Sequence, residues 1–217
     1  MTITPMAAHI KPAGEGRPAR RRNGPSTENK ILAAAEDLFA LHGFDAVSTS
    51  QLAAAAGVAI GALYHHFPSK EALYAAAIKR AFANKSTPPQ DIQDSPDPPR
   101  RKLTRMVAWF TTTMVLDRNF GLLLKRELLD PRPSTPNLID EDLFRKSLNL
   151  TKDLLSQLVP AADTDEAVAS MLALLFGFTN LKGIQAILPS VRHMLATPED
   201  IAEHIVSLLL HGLEPPR

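Results

Sequence analysis

Residues 48–67 read STSQLAAAAGVAIGALYHHF, and PSKEALY follows directly at 68–74. Thr49 carries a hydroxyl suited to N-capping, and good helix formers follow it. Gly57 supplies the positive φ that a sharp turn needs, and Val58 is the apolar residue at the corner. The pattern predicts two short helices joined by a tight glycine turn, the geometry that places a second helix in a DNA groove.

The second helix of this pair is expected over Ala59 to Phe67. Pro68 ends it, because the residue before a proline is disfavoured in the α region. Ser69 is then positioned to cap the next helix, and Glu71 lies favourably near that helix's N-terminus. Another helix is therefore expected to follow the turn.

The Gly57-Val58 turn, the sequence GALYHHF at 61–67 and the polar turn at 68–70 together resemble the DNA-binding domain of the TetR family of transcriptional regulators. That family's signature is a Gly-Val turn, then G-x-L-Y-x-H-F, then a short Lys-containing turn into a fourth helix. The resemblance extends from Ile31 to Ala81, which is more specific than a lone helix-turn-helix pattern. Beyond this N-terminal third, the chain matches the family only in its helix pattern.

The resemblance implies which residues contact DNA. Backbone contacts fall on the residues whose hydroxyl, imidazole or ammonium groups suit phosphate oxygens, namely Thr49, Tyr64, His65 and Lys70. Base-edge approach falls on Ser50, Ile60, Gly61 and Ala62. Arg22, in a basic cluster upstream, is a further candidate for a phosphate contact.

The expected recognition helix departs from the family pattern at its tip. Family members often begin this helix with a polar pair and place Thr after the glycine, whereas this chain has Ala59, Ile60 and Ala62. Ile60 and Ala62 can touch a thymine methyl group but cannot make a bidentate base contact. Specificity is therefore expected to depend on Ser50, His65 and DNA deformability.

Composition sets the outer bounds of the interpretation. The chain has 217 residues, of which 45% are hydrophobic and 22% charged, enough to bury a sizeable core. Its longest apolar run, Met171 to Phe178, is much shorter than the ~20 residues that span a bilayer. No apolar signal segment is recognisable in residues 1–25, and the sequence contains no cysteine. We expect a cytoplasmic protein, without a membrane partner, that associates with the bacterial nucleoid when bound to DNA.

The formal net charge of +1 conceals an asymmetry. Residues 1–80 carry nine basic and six acidic side chains, and the remainder carries fifteen basic and seventeen acidic ones. This distribution suits a DNA-binding head on a body that does not touch DNA. Residues 1–25 are expected to form a disordered basic arm, which either adds salt-dependent affinity for DNA or serves only as a solubilising extension.

The predicted architecture is all-α and has two domains. A helix-turn-helix DNA-binding domain of three to four helices is expected over 26–84, with its first helix from Thr27 to His42. The proline-rich segment 85–99 is expected to be a loop or mobile connector. Residues 100–217 are expected to form a helical ligand-binding and dimerisation domain.

Apolar periodicity in the second domain predicts five helices. They are expected near Arg100–Leu116, Phe120–Leu129, Leu143–Leu158, Thr164–Leu188 and Pro198–Leu213. The last two are apolar on more than one side, which indicates that more than one side is covered. The family resemblance implies that these two helices pair with their symmetry mates in a homodimer, which binds a palindromic operator; burial within a monomeric core is the alternative.

The resemblance also implies a pocket for a small-molecule effector inside the helical body. Candidate lining residues are aromatic, thioether or aliphatic side chains with a few hydroxyl or amide groups: Trp109, Phe110, Thr113, Met114, Phe120, Leu123, Phe144, Phe176 and Asn180. The same side chains are also typical of an ordinary helical core. Occupation of the pocket is expected to change the separation of the two DNA-binding heads.

No enzymatic or metal chemistry is expected, and no cofactor. His65 and His66 are adjacent on a helix and point about 100° apart, which disfavours a metal pair. Asp200, His204 and His211 share one helix, which rarely completes a metal or catalytic site alone. The sequence therefore predicts a ligand-responsive transcriptional regulator, a repressor released by a small apolar or aromatic effector. The alternative is a helical small-molecule-binding or enzymatic protein with a vestigial helix-turn-helix.

Overall fold

The structure is a computed structural model that describes residues 26–83, 85–129, 141–160 and 162–213. The regular elements of these residues are all helical, as predicted. The N-terminal head contains four helices: α1 Thr27–His42, α2 Thr49–Ala56, α3 Ile60–His66 and α4 Lys70–Phe82. A single helical turn, α5 Gln90–Gln93, precedes the body. The body contains α6 Pro99–Leu116, α7 Arg118–Leu129, α8 Glu141–Leu158, α9 Thr164–Asn180 and α10 Pro198–Leu213.

Serine hydroxyls begin three of the head helices. Ser26 and Ser69 each accept a hydrogen bond from the backbone N–H three residues on, which starts α1 and α4. The cap of α2 is Ser48, which forms a reciprocal capping box with Gln51. The prediction that Thr49 caps α2 is therefore wrong, because Thr49 is already the first helical residue.

The turn between α2 and α3 has the predicted conformation. Gly57 adopts the left-handed region at φ 66° and ψ 38°, and its N–H bonds back to Ala53 and Ala54. Val58 packs against the core at the corner. The turn lets Leu63 of α3 bury fully against the rest of the head.

An aromatic cluster holds the head together. Phe39 of α1 packs edge-to-face against Tyr74 of α4, with ring centroids 4.9 Å apart, and Phe44 contacts both rings. All three side chains are buried. Aromatic pairs of this geometry add to the stabilisation from burial alone, so α4 is fixed to α1 near its first two turns.

The segment expected to be a loop or mobile connector is ordered against α6. It contains the turn α5, whose Ile92 is buried, and Ser86 is buried as well. Arg105 of α6 donates to Asp91 at 2.7 Å and to Asp97 at 2.9 Å. Burial and a forked ion pair thus override the loop-forming tendency of the prolines.

The body packs around α6. Helix α10 lies along α6 and also packs on α9, while α8 contacts both α6 and α9. Helix α9 ends at Asn180 rather than near Leu188, and two 3₁₀ segments, Leu181–Ala186 and Pro189–Arg192, follow it. The prediction of a single long helix was wrong because an apolar periodic pattern does not distinguish an α-helix from consecutive shorter turns.

The corner between α6 and α7 depends on a glycine. A Cβ atom at Gly121 would lie 2.5 Å from the carbonyl oxygen of Met114, so any other residue would force the backbones apart. Asp117 stands at this corner and accepts a hydrogen bond from the N–H of Phe120. The tight corner directs α7 back towards the head.

Helix α7 is the part of the body that contacts the head through both α1 and α4. Arg126 donates to the carbonyl oxygens of Ala40 and Leu41 at the end of α1. The Tyr74 hydroxyl donates to the buried carboxylate of Glu127. These bonds join the guanidinium and carboxylate of α7 to backbone and hydroxyl groups of the head.

Two carboxyl groups beside this junction have shifted pKa values. Burial raises the pKa of Glu36, against the attraction of Arg80, whose guanidinium lies 3.1 Å from its carboxylate. Burial also opposes ionisation of Asp117, but hydrogen bonds from Lys85 and from the Phe120 N–H outweigh it and lower the pKa of Asp117. Asp117 therefore stays ionised beside its lysine.

Within the described residues, no helix combines the length and apolarity needed to cross a membrane.

Candidate functional site

Helix α3 has one buried and one exposed face. Leu63 is fully buried, whereas Ile60 and Tyr64, one turn apart, are 46% and 47% exposed. Gly61 and His65 are exposed beside them. Large apolar and aromatic side chains at this exposure on a short helix are a surface that another molecule can cover.

The other predicted contact residues adjoin this face. Ser50 is exposed at the start of α2, and Ala62 is half-buried. The hydroxyl oxygen of Thr49 lies 3.2 Å from the phenolic oxygen of Tyr64. The structure thus brings together two residues fifteen positions apart that were predicted to contact phosphates.

Lys70 is the first residue of α4. Its ammonium nitrogen lies 4.2 Å from the centroid of the Phe44 ring, a cation–π contact that restrains the side chain. Because the start of α4 also carries the positive end of the helix dipole, this corner favours an anion. Arg22, the remaining predicted contact, lies outside the described residues.

The tip of α3 has the apolar character noted in the sequence. Its N-cap, Ala59, offers no side-chain hydrogen bond. The rings of His65 and His66 meet edge-to-face with centroids 5.4 Å apart. Among the described residues, no group of three or more His, Cys, Asp or Glu side chains has the arrangement of a metal site.

The C-terminal triad singled out in the sequence has other local roles. Asp200 accepts a hydrogen bond from the Thr197 hydroxyl at the start of α10. His204 packs edge-to-face on Phe178, with ring centroids 5.2 Å apart. The Nδ1 atom of His211 lies 2.7 Å from the carbonyl oxygen of Ser207. Capping, ring packing and helix contacts therefore account for these three residues.

The body encloses a cavity of about 200 Å³ between α6, α8, α9 and the end of α7. Its lining is almost entirely apolar: Met106, Val107, Trp109, Phe110, Leu124, Leu128, Phe144, Ser147, Leu148, Thr151, Val168, Met171, Leu172, Leu175 and Phe176. Leu128, one of the lining residues, is 46% exposed. A partly open apolar cavity of this kind is typical of small-molecule sites.

Four of the candidate lining residues do line this cavity, namely Trp109, Phe110, Phe144 and Phe176. The other five lie elsewhere: Thr113, Met114, Phe120, Leu123 and Asn180. Phe120 and Leu123 are fully buried in the core. The Thr113 hydroxyl donates to the carbonyl of Trp109, and exposed Asn180 accepts a hydrogen bond from Lys125.

The α8 wall of the cavity contributes residues that were not among the candidates. Ser147, Leu148 and Thr151 follow Phe144 at helical spacing, and they belong to the apolar stripe that the sequence already showed. Phe144 was the one candidate on this helix. The stripe facing α6 was the signal that identifies this wall.

Two contacts connect the cavity wall to the end of the head. The ring of Phe144 packs edge-to-face on Phe82, the last residue of α4, with centroids 6.1 Å apart. The Ser147 hydroxyl donates to the carbonyl oxygen of Ser86 at 2.5 Å. Helix α4 therefore carries Lys70 at one end and touches the cavity wall with the other.

Comparison with known proteins gives a match for the head. The family model described as bacterial regulatory proteins, tetR family, matches residues 31–77. The transcriptional activator FasR of Mycolicibacterium smegmatis is 35% identical over 74 residues, which are 34% of this chain and 34% of FasR. The chain thus aligns with about a third of the length of this curated relative.

Solved structures resemble the whole fold. The TetR family regulator PfmR from Thermus thermophilus superposes with a TM-score of 0.66 at 22% identity, covering 89% of this chain and all of PfmR. FadR from Bacillus subtilis, solved in complex with stearoyl-CoA, superposes with a TM-score of 0.63 at 17% identity, covering 85% of this chain and 98% of FadR. The chain has the all-helical fold of these two transcriptional regulators.

Proposed function

We propose that this chain, whose residues 31–77 match the family model of the tetR regulators, is a TetR-family homodimeric repressor that leaves a palindromic operator when a small apolar or aromatic effector enters the body. The relative FasR is an activator, so repression rather than activation is part of what we propose. We further propose that the protein acts in the cytoplasm, on chromosomal DNA.

The proposed DNA-binding surface consists of α3 and its flanks. Thr49, Tyr64, His65 and Lys70 offer the hydroxyl, imidazole and ammonium groups that suit phosphate oxygens. Ser50, Ile60, Gly61 and Ala62 are the residues that approach base edges. Because Ile60 is an exposed aliphatic side chain at the tip of the helix, contact with thymine methyl groups is the direct readout that it supports.

The proposed dimer forms through α9 and α10. Helix α9 exposes the small residues Ala169, Ala173 and Gly177, four positions apart, so they share one face. Leu208 of α10 is 46% exposed. The face of small residues on α9 and the exposed leucine on α10 would permit close packing of a second copy, and two-fold pairing would place two α3 helices on successive half-sites.

The proposed ligand response rests on helix α4, which reaches from the cavity wall to the proposed DNA-binding surface. Phe144 lines the cavity and packs on Phe82 at the C-terminal end of α4, while Lys70 begins that helix on the DNA side. An effector that moves Phe144 must repack Phe82 and so tilt α4. To release DNA, the effector must bind the DNA-incompetent state more tightly by typically ~1–3 kcal/mol.

The test is a DNA-binding titration at several salt concentrations, with duplexes from the protein's own upstream region and random duplexes of equal length. A specific regulator binds the upstream DNA at least about 1000-fold more tightly. Equal affinity for both would support the alternative of a helical small-molecule-binding protein with a vestigial helix-turn-helix. The same titration with the cavity occupied tests whether ligand binding lowers operator affinity.

A further inference from the structure

Among the described residues no charged side chain lines the cavity, and the polar groups of its side chains are two hydroxyls and the indole N–H of Trp109. Only two of its lining side chains carry a hydroxyl, and both hydroxyls already donate to backbone carbonyls. Ser147 donates to Ser86 at 2.5 Å, and Thr151 donates to Ser147 at 2.7 Å. A carboxylate or phosphate placed here would lose its hydration without gaining a cationic partner.

The cavity is somewhat larger than an apolar cavity whose ligand is known. An engineered apolar cavity of roughly 150 Å³ stays dry and binds benzene. The cavity here is about 200 Å³. It therefore suits a molecule one ring larger than benzene.

Its walls favour an aromatic occupant. Trp109 and Phe110 lie 6.0 Å apart at a tilt of 54°, and Phe110 meets Phe144 nearly edge-on at 6.2 Å. Met106 and Met171 add polarisable sulfur atoms. Ring edges and thioethers around one space provide both edge-to-face and sulfur–aromatic contacts to a flat guest.

We propose that the cavity takes an uncharged aromatic molecule of two fused rings and rejects acids of the same shape. The regulatory meaning of this inference rests on the proposed function, whereas the binding of the ligand does not. It separates this cavity from a site for an acyl-CoA or a carboxylate, which would need cationic partners in the lining.

The test compares naphthalene with 2-naphthoate, which differ by one carboxylate. Binding is measured without DNA, by calorimetry and by the fluorescence of Trp109, the single tryptophan of the chain. Naphthalene is expected to bind and to shift the emission, and 2-naphthoate is expected to bind at least about 100-fold more weakly. Equal or tighter binding of 2-naphthoate, or no binding of naphthalene, overturns the proposal.

A designed cation supplies a second, independent readout. Leu148→Arg places a guanidinium in the α8 wall and is expected to shift the preference towards 2-naphthoate by at least about 10-fold. Asn149→Arg, at the exposed neighbouring position, is the matched control and keeps the wild-type preference. If Leu148→Arg does not fold, the comparison of naphthalene with 2-naphthoate on the wild-type protein still tests the proposal.

Failure of this inference is distinguishable from failure of the proposed function. If naphthalene binds with the stated preference but leaves operator affinity unchanged, the ligand class stands and the regulatory proposal fails. If 2-naphthoate is the tighter ligand and releases DNA, the regulatory proposal stands and the ligand class is wrong.

Discussion

The hydroxyl oxygen of Thr49 lies 3.2 Å from the phenolic oxygen of Tyr64, which joins the first residue of α2 to the exposed face of α3. The bond fixes the tyrosine ring on the surface that we assign to DNA. It also leaves both hydroxyls near the place where a phosphate would lie, so the two residues should act together and not independently.

The variant Tyr64→Phe keeps the ring and removes its hydroxyl. We expect operator affinity to fall by roughly 3- to 10-fold, the value of one neutral hydrogen bond of about 0.5–1.5 kcal/mol. Thr49→Val should cost a similar amount, and the double variant less than the sum. Fluorescence anisotropy with a labelled operator measures all three; strictly additive losses would contradict the joint role.

Lys70 supplies a charge at the start of α4. Lys70→Gln should weaken binding to specific and random DNA alike, and lower the slope of log affinity against log salt by about 1. Lys79→Gln, at an exposed position near the other end of the same helix, is the matched control. An equal change of slope in both variants would show that Lys70 acts only through net charge.

Substitution of Gly61 should change stability and DNA binding in opposite directions. A Cβ atom there meets nothing within 4 Å, and the residue is helical. Gly61→Ala should therefore raise the free energy of unfolding by about 0.5–1 kcal/mol while weakening operator binding, since the methyl group stands on the DNA-facing surface.

Gly57→Ala is the contrasting variant. Its site is equally open, but φ is +66°, so it should lose about 1 kcal/mol of stability. Urea unfolding monitored by circular dichroism measures both glycine variants. A destabilised Gly61→Ala protein would mean that α3 is strained at that position.

The two tyrosines of the chain should differ sharply in their effect on stability. Tyr74 is buried and donates to the buried carboxylate of Glu127. Tyr74→Phe should cost about 1.5–3 kcal/mol, as for a hydrogen bond to a charged group. Tyr64→Phe should change the free energy of unfolding by less than about 0.5 kcal/mol, because its hydroxyl is at the surface. Similar losses in urea unfolding would refute a stabilising head–body bond.

Asp117 should make stability depend on acidic pH. Its pKa is lower in the folded chain, so its contribution to stability is present above the unfolded-state pKa and is lost as pH falls through the folded-state pKa. Asp117→Asn should thus be less stable than wild type near neutral pH, with the difference shrinking towards about pH 3. Asp153→Asn, at an exposed position, controls for the loss of one negative charge. A difference that stays constant with pH would contradict the ionised pair with Lys85.

Features governed by neighbouring residues were predictable from the sequence. Gly57 must take a positive φ because the chain reverses there within a few residues, and Ser69 caps α4 through a hydrogen bond three residues away. The cap of α2 was misplaced by one residue because Ser48 and Thr49 both carry a hydroxyl. Gln51 distinguishes them, because its backbone N–H donates to the Ser48 hydroxyl and its side-chain oxygen accepts from the Ser48 N–H.

The cavity was less predictable because it depends on which face of each helix turns inwards. On α7, Phe120 and Leu123 were chosen, but Leu124 and Leu128 line the space. All four are apolar, and their helix is covered on more than one side. The corner at Gly121 and the contacts of α7 with the head determine which face of α7 points towards the cavity. These are tertiary contacts, which a helical sequence pattern does not reveal.

The corner at Gly121 is more tightly constrained than the wall of the cavity. At position 121 even a methyl group would collide with the Met114 carbonyl, whereas Leu148 and Leu172 are partly buried side chains in the cavity wall. In the regulator that we propose, substitutions in this wall would alter the ligand preference. Gly121 would meanwhile keep α7 and its contacts with the head in place.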